Sequence, residues 1–249
     1  MSWRIWRWWL AGIILYLIFL LATLPAGYAT AWLQKRVPQL QLSGVNGSLW
    51  SGSAREVAWR GQEWGNLHWG FDWSALFSGH PGYRLELDAA DLALRTRVAG
   101  NSHNLLLRDI TGHLDIARLE PWLPLPHGSV AGQLNLQLQR LLLVNGQPTA
   151  AAGIISLSSF NLMWPQPVAL GDYEMKLQTQ ADGIHGSMLD TSGPLILQGS
   201  LRFAPDGSYQ VSGTLSARDP GNTPIANLLR YLPADQAGDR VFAFSGKDE

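Results

Sequence analysis

Beyond residue 36 the apolar residues recur at every second position, and this period limits the fold more than any other feature of the sequence. Leu134, Leu136 and Leu138 alternate with Asn135, Gln137 and Gln139. Tyr173, Met175, Leu177 and Thr179 alternate with Glu174, Lys176, Gln178 and Gln180, and Tyr83, Leu85 and Leu87 with Arg84, Glu86 and Asp88. Side chains two apart share one face of a strand, so each run predicts a strand with one dry and one wet face. Between such runs stand Asn46-Gly47, Asn145-Gly146, Asp182-Gly183 and Asp206-Gly207, pairs that accept the positive φ of tight hairpin turns. Helix signals are few. Pro224 to Leu232 has Thr223 as expected N-cap and Pro233 as stop, and a shorter stretch runs from Ile116 to Leu123. The expected fold is mainly β, a curved antiparallel sheet built of sequential hairpins over residues 33–249 as one domain.

The amino-terminal segment obeys a different rule. No charged residue occurs between Arg7 and Lys35. Residues 8–31 would make a helix of roughly 36 Å at 1.5 Å per residue, against a hydrocarbon core of about 30 Å. A transmembrane helix is therefore expected at 8–32, preceded by a short cytoplasmic head at 1–7. Arg4 and Arg7 flank it, and Trp8, Trp9 and Trp32 are candidate interface anchors, since amphipathic rings settle at the headgroup level. The competing reading is a cleaved leader, for which Ala29-Thr30-Ala31 supplies small residues near a cut, although the apolar run exceeds the usual 7–15 residues. A short head inside and a long body outside place the body in the periplasm of a two-membrane bacterium.

Composition excludes several functions. The 18 basic and 19 acidic residues leave a net charge of −1, which gives no footprint for a phosphate backbone, so no nucleic-acid partner is expected. With no cysteine there is no thiol nucleophile, thiolate metal site or disulfide framework. The six histidines (His68, His80, His103, His113, His127, His185) show no metal-binding spacing, and neither GxSxG nor GxxxxGK[ST] occurs. No catalytic residue, metal ligand or cofactor is expected, and the chain does not read as an enzyme.

The most distinctive stretch is aromatic. Trp50, Trp59, Trp64, Trp69 and Trp73 fall within 24 residues, near Phe71 and Phe77. Trp69, Phe71 and Trp73 alternate and are expected to fill a sheet core, whereas Trp59 and Trp64 are the candidates for contact with a partner or a lipid.

Residues 48–79, SLWSGSAREVAWRGQEWGNLHWGFDWSALFSG, resemble the opening of the periplasmic region in the protein N family of the bacterial type II secretion system. The family pattern falls on Gly47, Leu49, Trp50, Gly52, Ala54, Leu67, Trp69, Leu76 and Gly79. Further matches run in order at GHLDIARLEPWLP, LGDYEMKLQ, GPLILQGSLRFAPDGSYQVSGTLSARD and LLRYLPADQAGDRVFAFSG; residues 101–108 carry none. The resemblance implies a single-pass inner-membrane accessory component of the apparatus that exports folded periplasmic proteins across the outer membrane. It implies other subunits of that apparatus as protein partners, and it supplies no catalytic residues.

A second reading of the same alternation is a lipid-handling envelope protein, similar to the AsmA-like proteins, which binds or conducts lipid along an apolar β-groove. The two readings differ in the apolar strand face. A closed interior filled by side chains suits a docking module, and an apolar groove left open suits a lipid.

Overall fold

The computed structural model describes residues 9, 12–16, 19–20, 23–73, 82–101, 103–122, 126, 128–163, 166–230, 232–234 and 239–247. They fall into two compact units, residues 1–90 and 91–249. Every strand ladder within each unit is antiparallel, as the alternation predicts.

In the first unit, helix α1 (Ala26–Arg36) leads into strands β1 (Leu40–Ser43), β2 (Asn46–Gly47), β3 (Ser51–Trp59), β4 (Gln62–Phe71) and β5 (Gly82–Ala89). The strand order is β1-β3-β4-β5, with β2 laid on β3. Residues Trp9, Gly12–Tyr16 and Phe19–Leu20 are helical, and the large apolar side chains among them are exposed. No helix among the described residues is long and apolar enough to cross a membrane. Arg4, Arg7 and Trp8, three of the expected interface residues, lie outside the described residues. The end of the expected span already belongs to the folded unit. The Leu49 amide donates to the Leu24 carbonyl at 2.9 Å, Pro25 bridges to Ser48, Ala26 is buried, and Gln34 Nε2 donates to the Leu42 carbonyl.

Asn46-Gly47 is not the expected hairpin turn. It is strand β2, paired with Ser53 and Gly52, and the turn lies at residues 48–50. Ser48 closes that turn, its amide donating to the Ser51 carbonyl at 2.9 Å and its Oγ accepting from the Ser51 amide. Gly47 uses its positive φ to pass close to the opposing backbone, where a Cβ would lie 2.7 Å from the Gly52 Cα. One tight turn that the dipeptide pattern missed is Arg60-Gly61, with φ of 53° and 82°.

Gly52 faces Trp69 across the β3–β4 ladder. A Cβ at Gly52 would lie 2.8 Å from the ring atom Cε2, so the glycine is the space that the indole fills. The ring then donates from Nε1 to the Ser48 carbonyl at 3.1 Å. Trp73 departs from expectation. Strand β4 ends at Phe71, and Trp73 is 57% exposed instead of in the core.

The second unit runs β6 (Leu92–Gly100), β7 (Asn104–Asp115), a 3-10 helix (Ile116–Trp122), β8 (Val130–Val144), β9 (Gln147–Leu162), β10 (Val168–Gln180), β11 (Gly183–Ser192), β12 (Leu195–Phe203), β13 (Ser208–Ala217), helix α2 (Thr223–Leu229) and β14 (Arg240–Lys247). Its strands pair in sequence order. Asn145-Gly146 turns β8 into β9 with φ of 53° and 86°, as tight hairpins require. Helix α2 starts one residue earlier than expected because Asn222, not Thr223, is the cap, its Oδ1 accepting from the Ile225 amide. Two core clusters lie on the sheet: Ile110, Leu138, Ala151, Leu177 and Ile184, and Val168, Leu170 and Leu195 under Ile225 and Leu229 of α2.

Carboxylates tie the strand ends. Asp91 takes a two-pronged contact from Arg118, Nε to Oδ2 at 2.6 Å and Nη2 to Oδ1, and the guanidinium holds the carboxyl below its ordinary pKa. Buried Glu120 accepts from the Gly128 amide at 2.8 Å and the Val130 amide at 2.9 Å. Asp172 accepts from the Ser159 amide and the Ser192 hydroxyl, pinning the bulge where Ser159 adopts a φ of 51°.

Two predictions follow from these contacts. Trp69→Ala should lower stability by about 3 kcal/mol, Gly52→Ala by about 1–3 kcal/mol through overpacking, and Trp73→Ala by less than about 1 kcal/mol, all read by thermal or denaturant unfolding. Asp91→Asn should cost under about 1 kcal/mol, because the pair is partly solvated. The folded carboxyl titrates below the unfolded one, so this contribution is complete above the unfolded value of about 3.9 and fades as pH falls through the folded value. Wild type and variant should therefore differ at pH 7 and converge in acid.

Candidate functional site

Two aromatic or apolar features stand apart from ordinary core. The first is a ring cluster in the first unit. Phe71 meets Trp50 edge-on at 5.1 Å, Trp73 at 4.8 Å and Tyr83 at 5.3 Å, while Trp50 and Trp73 lie 5.3 Å apart. The T-shaped contacts place positive ring edges on negative faces and hold the group together. Trp73 leaves part of it open to solvent.

Trp59 and Trp64 occupy one hairpin. Trp59 ends β3, paired with Leu40 on one side and Gln62 on the other. Trp64 sits on β4 beside Gly65, where the register shifts. Both are half-buried. On α1, Trp32 is 59% exposed and carries the Arg36 guanidinium 5.0 Å from its ring centroid. Trp9 is 70% exposed.

The second feature is a recess of about 560 Å³ in the second unit. Its floor is the apolar face of strands β8–β13, represented by Leu134, Ile155, Leu157, Met175, Met188, Leu197 and Leu215, and α2 and the residues after it contribute Leu228 and Leu232. Glu174 is the one charged residue in the lining. Strand register explains the alignment: Met188 faces Gly199, and Leu197 faces Leu215. The alternation in sequence identified this face. It could not show that a helix of seven residues covers only part of it, leaving Ile155, Leu157, Met188 and Leu197 half-buried.

The recess offers little chemistry. The Tyr173 hydroxyl donates to the Leu170 carbonyl at 2.6 Å, and burial, helped by Asp190 and Asp172, pushes its pKa up to about 12. It therefore stays neutral and engaged. Among the described residues no group of three or more His, Asp or Glu could hold a metal ion. His185 meets Asp182 at 2.8 Å, and Asp182 also meets Arg202 at 2.9 Å, at exposed hairpin ends. The lining of the recess is thus almost wholly apolar.

Comparison with known proteins agrees with the sequence motifs. Residues 38–244 match the family model described as type II secretion system (T2SS), protein N. The type II secretion system protein N of Klebsiella pneumoniae is 29% identical over 223 residues, covering 86% of this chain and 84% of that protein. Those of Aeromonas hydrophila and Vibrio cholerae serotype O1 are 27% and 26% identical, covering 89% and 78% of this chain and 88% and 79% of their own lengths. No solved structure matches. The family model spans most of both units, including the Gly52–Trp69 pair and the recess, and the chain belongs to the type II secretion system protein N family.

Proposed function

We propose that the chain is a non-enzymatic, single-pass accessory subunit of a type II secretion system, taking part in the export of folded proteins across the outer membrane. Residues 1–7 lie in the cytoplasm, 8–32 anchor the chain in the inner membrane, and 33–249 lie in the periplasm. The family match over residues 38–244 carries this reading. The exposed helical residues Trp9, Ile13, Leu15, Tyr16 and Phe19 support the anchor, because an apolar surface of that density is costly in water and favourable in lipid. Tyr28 and Trp32, also exposed, suit the headgroup zone.

Docking on neighbouring subunits is assigned to the β3–β4 hairpin, where Trp59 and Trp64 present large rings that are neither fully buried nor fully solvated. Rings of this kind supply much of the energy of protein interfaces for little loss of conformational freedom.

Two experiments test this. Removing residues 1–22 should release a folded body from membranes into the soluble fraction, with unchanged circular dichroism. Removing 1–36 should also lower the melting temperature, because that cut takes α1 and the Leu24–Leu49 hydrogen bond with it. A body that still sediments with membranes after the shorter cut overturns the anchor. Photo-crosslinkers placed at 59 and 64 in secreting cells should capture proteins of the apparatus; capture of lipid alone overturns the docking assignment.

A further inference from the structure

We propose that the recess of the second unit holds one acyl chain of an anionic phospholipid, with the head group beside Arg240. This inference stands on the second unit alone and does not depend on the secretion role.

The polarity of the site selects the occupant. Strands β8 to β13 each pair on both sides, so their backbone N–H and C=O groups are engaged in ladders. The Tyr173 hydroxyl is bound to the Leu170 carbonyl. A peptide, or a second copy of this chain, would bring its own amides into the recess and find no partners for them, at about 1–3 kcal/mol for each group left unpaired. An acyl chain brings no polar groups. Each methylene removed from water contributes about 0.8 kcal/mol. The volume of about 560 Å³ lies within the range of roughly 300–1,000 Å³ usual for small-molecule sites.

Charge selects the end at which the head group sits. Arg240 on β14 pairs with Leu215, and its Nη1 donates to the Leu232 carbonyl at 3.2 Å; both leucines line the recess. A guanidinium therefore stands at the rim on the β14 side, where a phosphodiester would meet a planar set of donors. Arg218, joined to β13, is already held by Asp190 and the Gly193 carbonyl. Glu174, the one carboxylate in the lining, belongs to β10, four strands from β14 or roughly 19 Å at the ordinary strand spacing. The anionic head is thus drawn to the β14 rim and kept from the β10 flank.

The floor continues beyond the recess toward β14. Phe242 lies across Gly213 and Gly199, where an added Cβ would stand 2.7 Å and 3.5 Å from its ring atom Cζ. Phe242 and Phe244 are 6.1 Å apart, and Phe244 is 63% exposed. An apolar path therefore leads from the recess along β14 to the exposed Phe244 ring, by which a chain can enter.

The test uses the full chain in phosphatidylethanolamine–phosphatidylglycerol vesicles, with phosphatidylglycerol carrying a diazirine on one acyl chain, photolysis and peptide mapping. Labels are expected at recess positions such as Leu157, Met188 and Leu197. Met188→Trp, which fills the recess, should lower that labelling about tenfold. Ser187→Trp, on the opposite strand face, should leave it unchanged, and Arg240→Gln should lower it about threefold. Labels confined to residues 8–32, equal labelling by the phosphatidylcholine analogue, or labelling only by free diazirine palmitate would overturn the proposal. So would undiminished labelling in a Met188→Trp protein with native circular dichroism. If that variant does not fold, the wild-type map decides.

Discussion

An antiparallel sheet has two faces, and among the described residues of the second unit one short α-helix, α2, lies over the dry one. This constraint governs its structure. On strands β8 to β13 that face carries mostly Leu, Ile, Met and Tyr, interrupted by glycines such as Gly199 and Gly213, while the other is mostly polar. Helix α2 places Ile225 and Leu229 over Val168, Leu170 and Leu195 and closes that end. At the other end Ile110, Leu138, Ala151, Leu177 and Ile184 bury one another within the sheet surface. Between them the side chains reach neither helix nor complete mutual cover, and the recess results. Apolar area of this kind forgoes about 25 cal/mol per Å² relative to burial, so an exposed recess is a standing cost to the fold that an apolar occupant relieves.

Glycine opposite an aromatic ring is the recurring local device. Gly52 gives way to Trp69 in the first unit, and Gly213 and Gly199 give way to Phe242 in the second. A strand glycine weakens the ladder because it packs nothing itself and loses more backbone entropy on ordering. A ring laid across it restores the missing contact. In the Gly52 case the arrangement also directs the indole N–H to the Ser48 carbonyl, so the glycine, the serine turn and the tryptophan act as one piece. That coupling gives the Gly-x-Leu-Trp-x-Gly string a structural meaning: Gly47 and Gly52 permit close approach of backbone and ring.

Legibility in the sequence followed the range of the interactions. Period-two patterning marked the strands because it reports a local property, which face a side chain points to. Asn145-Gly146 was readable for the same reason. Asn46-Gly47 was not, because Gly47 there serves a close contact with Ser51 and Gly52 across the strand pair. Arg60-Gly61 escaped because arginine seldom takes positive φ; here its amide donates to the Gln39 carbonyl and its Nε to Gln39 Oε1. Trp73 left the expected row because β4 stops two residues earlier. The recess had no signature of its own, since it is made by the shortness of α2, and coverage of a face is a property of the assembled unit.

Sparse charge bears on how such a sheet keeps its register. Several of the contacts that carboxylates make in this unit lie near strand ends or bulges, while Arg97 and Asp109 pair at 3.4 Å between the middles of β6 and β7. Asp91 with Arg118 joins the start of β6 to the 3-10 helix, Asp190 with Arg218 joins β11 to the residue after β13, and Asp172 pins the β9 bulge to Ser192. Ion pairs at the surface add little energy individually. They matter here because a one-residue slip would turn an apolar row to the wet face, and the slip would also separate each pair. Hydrophobic alternation sets the energy of the register, and these carboxylates add to the discrimination between neighbouring registers. The dry face is thereby held in one alignment across β8 to β13, and a shared row of half-buried side chains follows from that alignment.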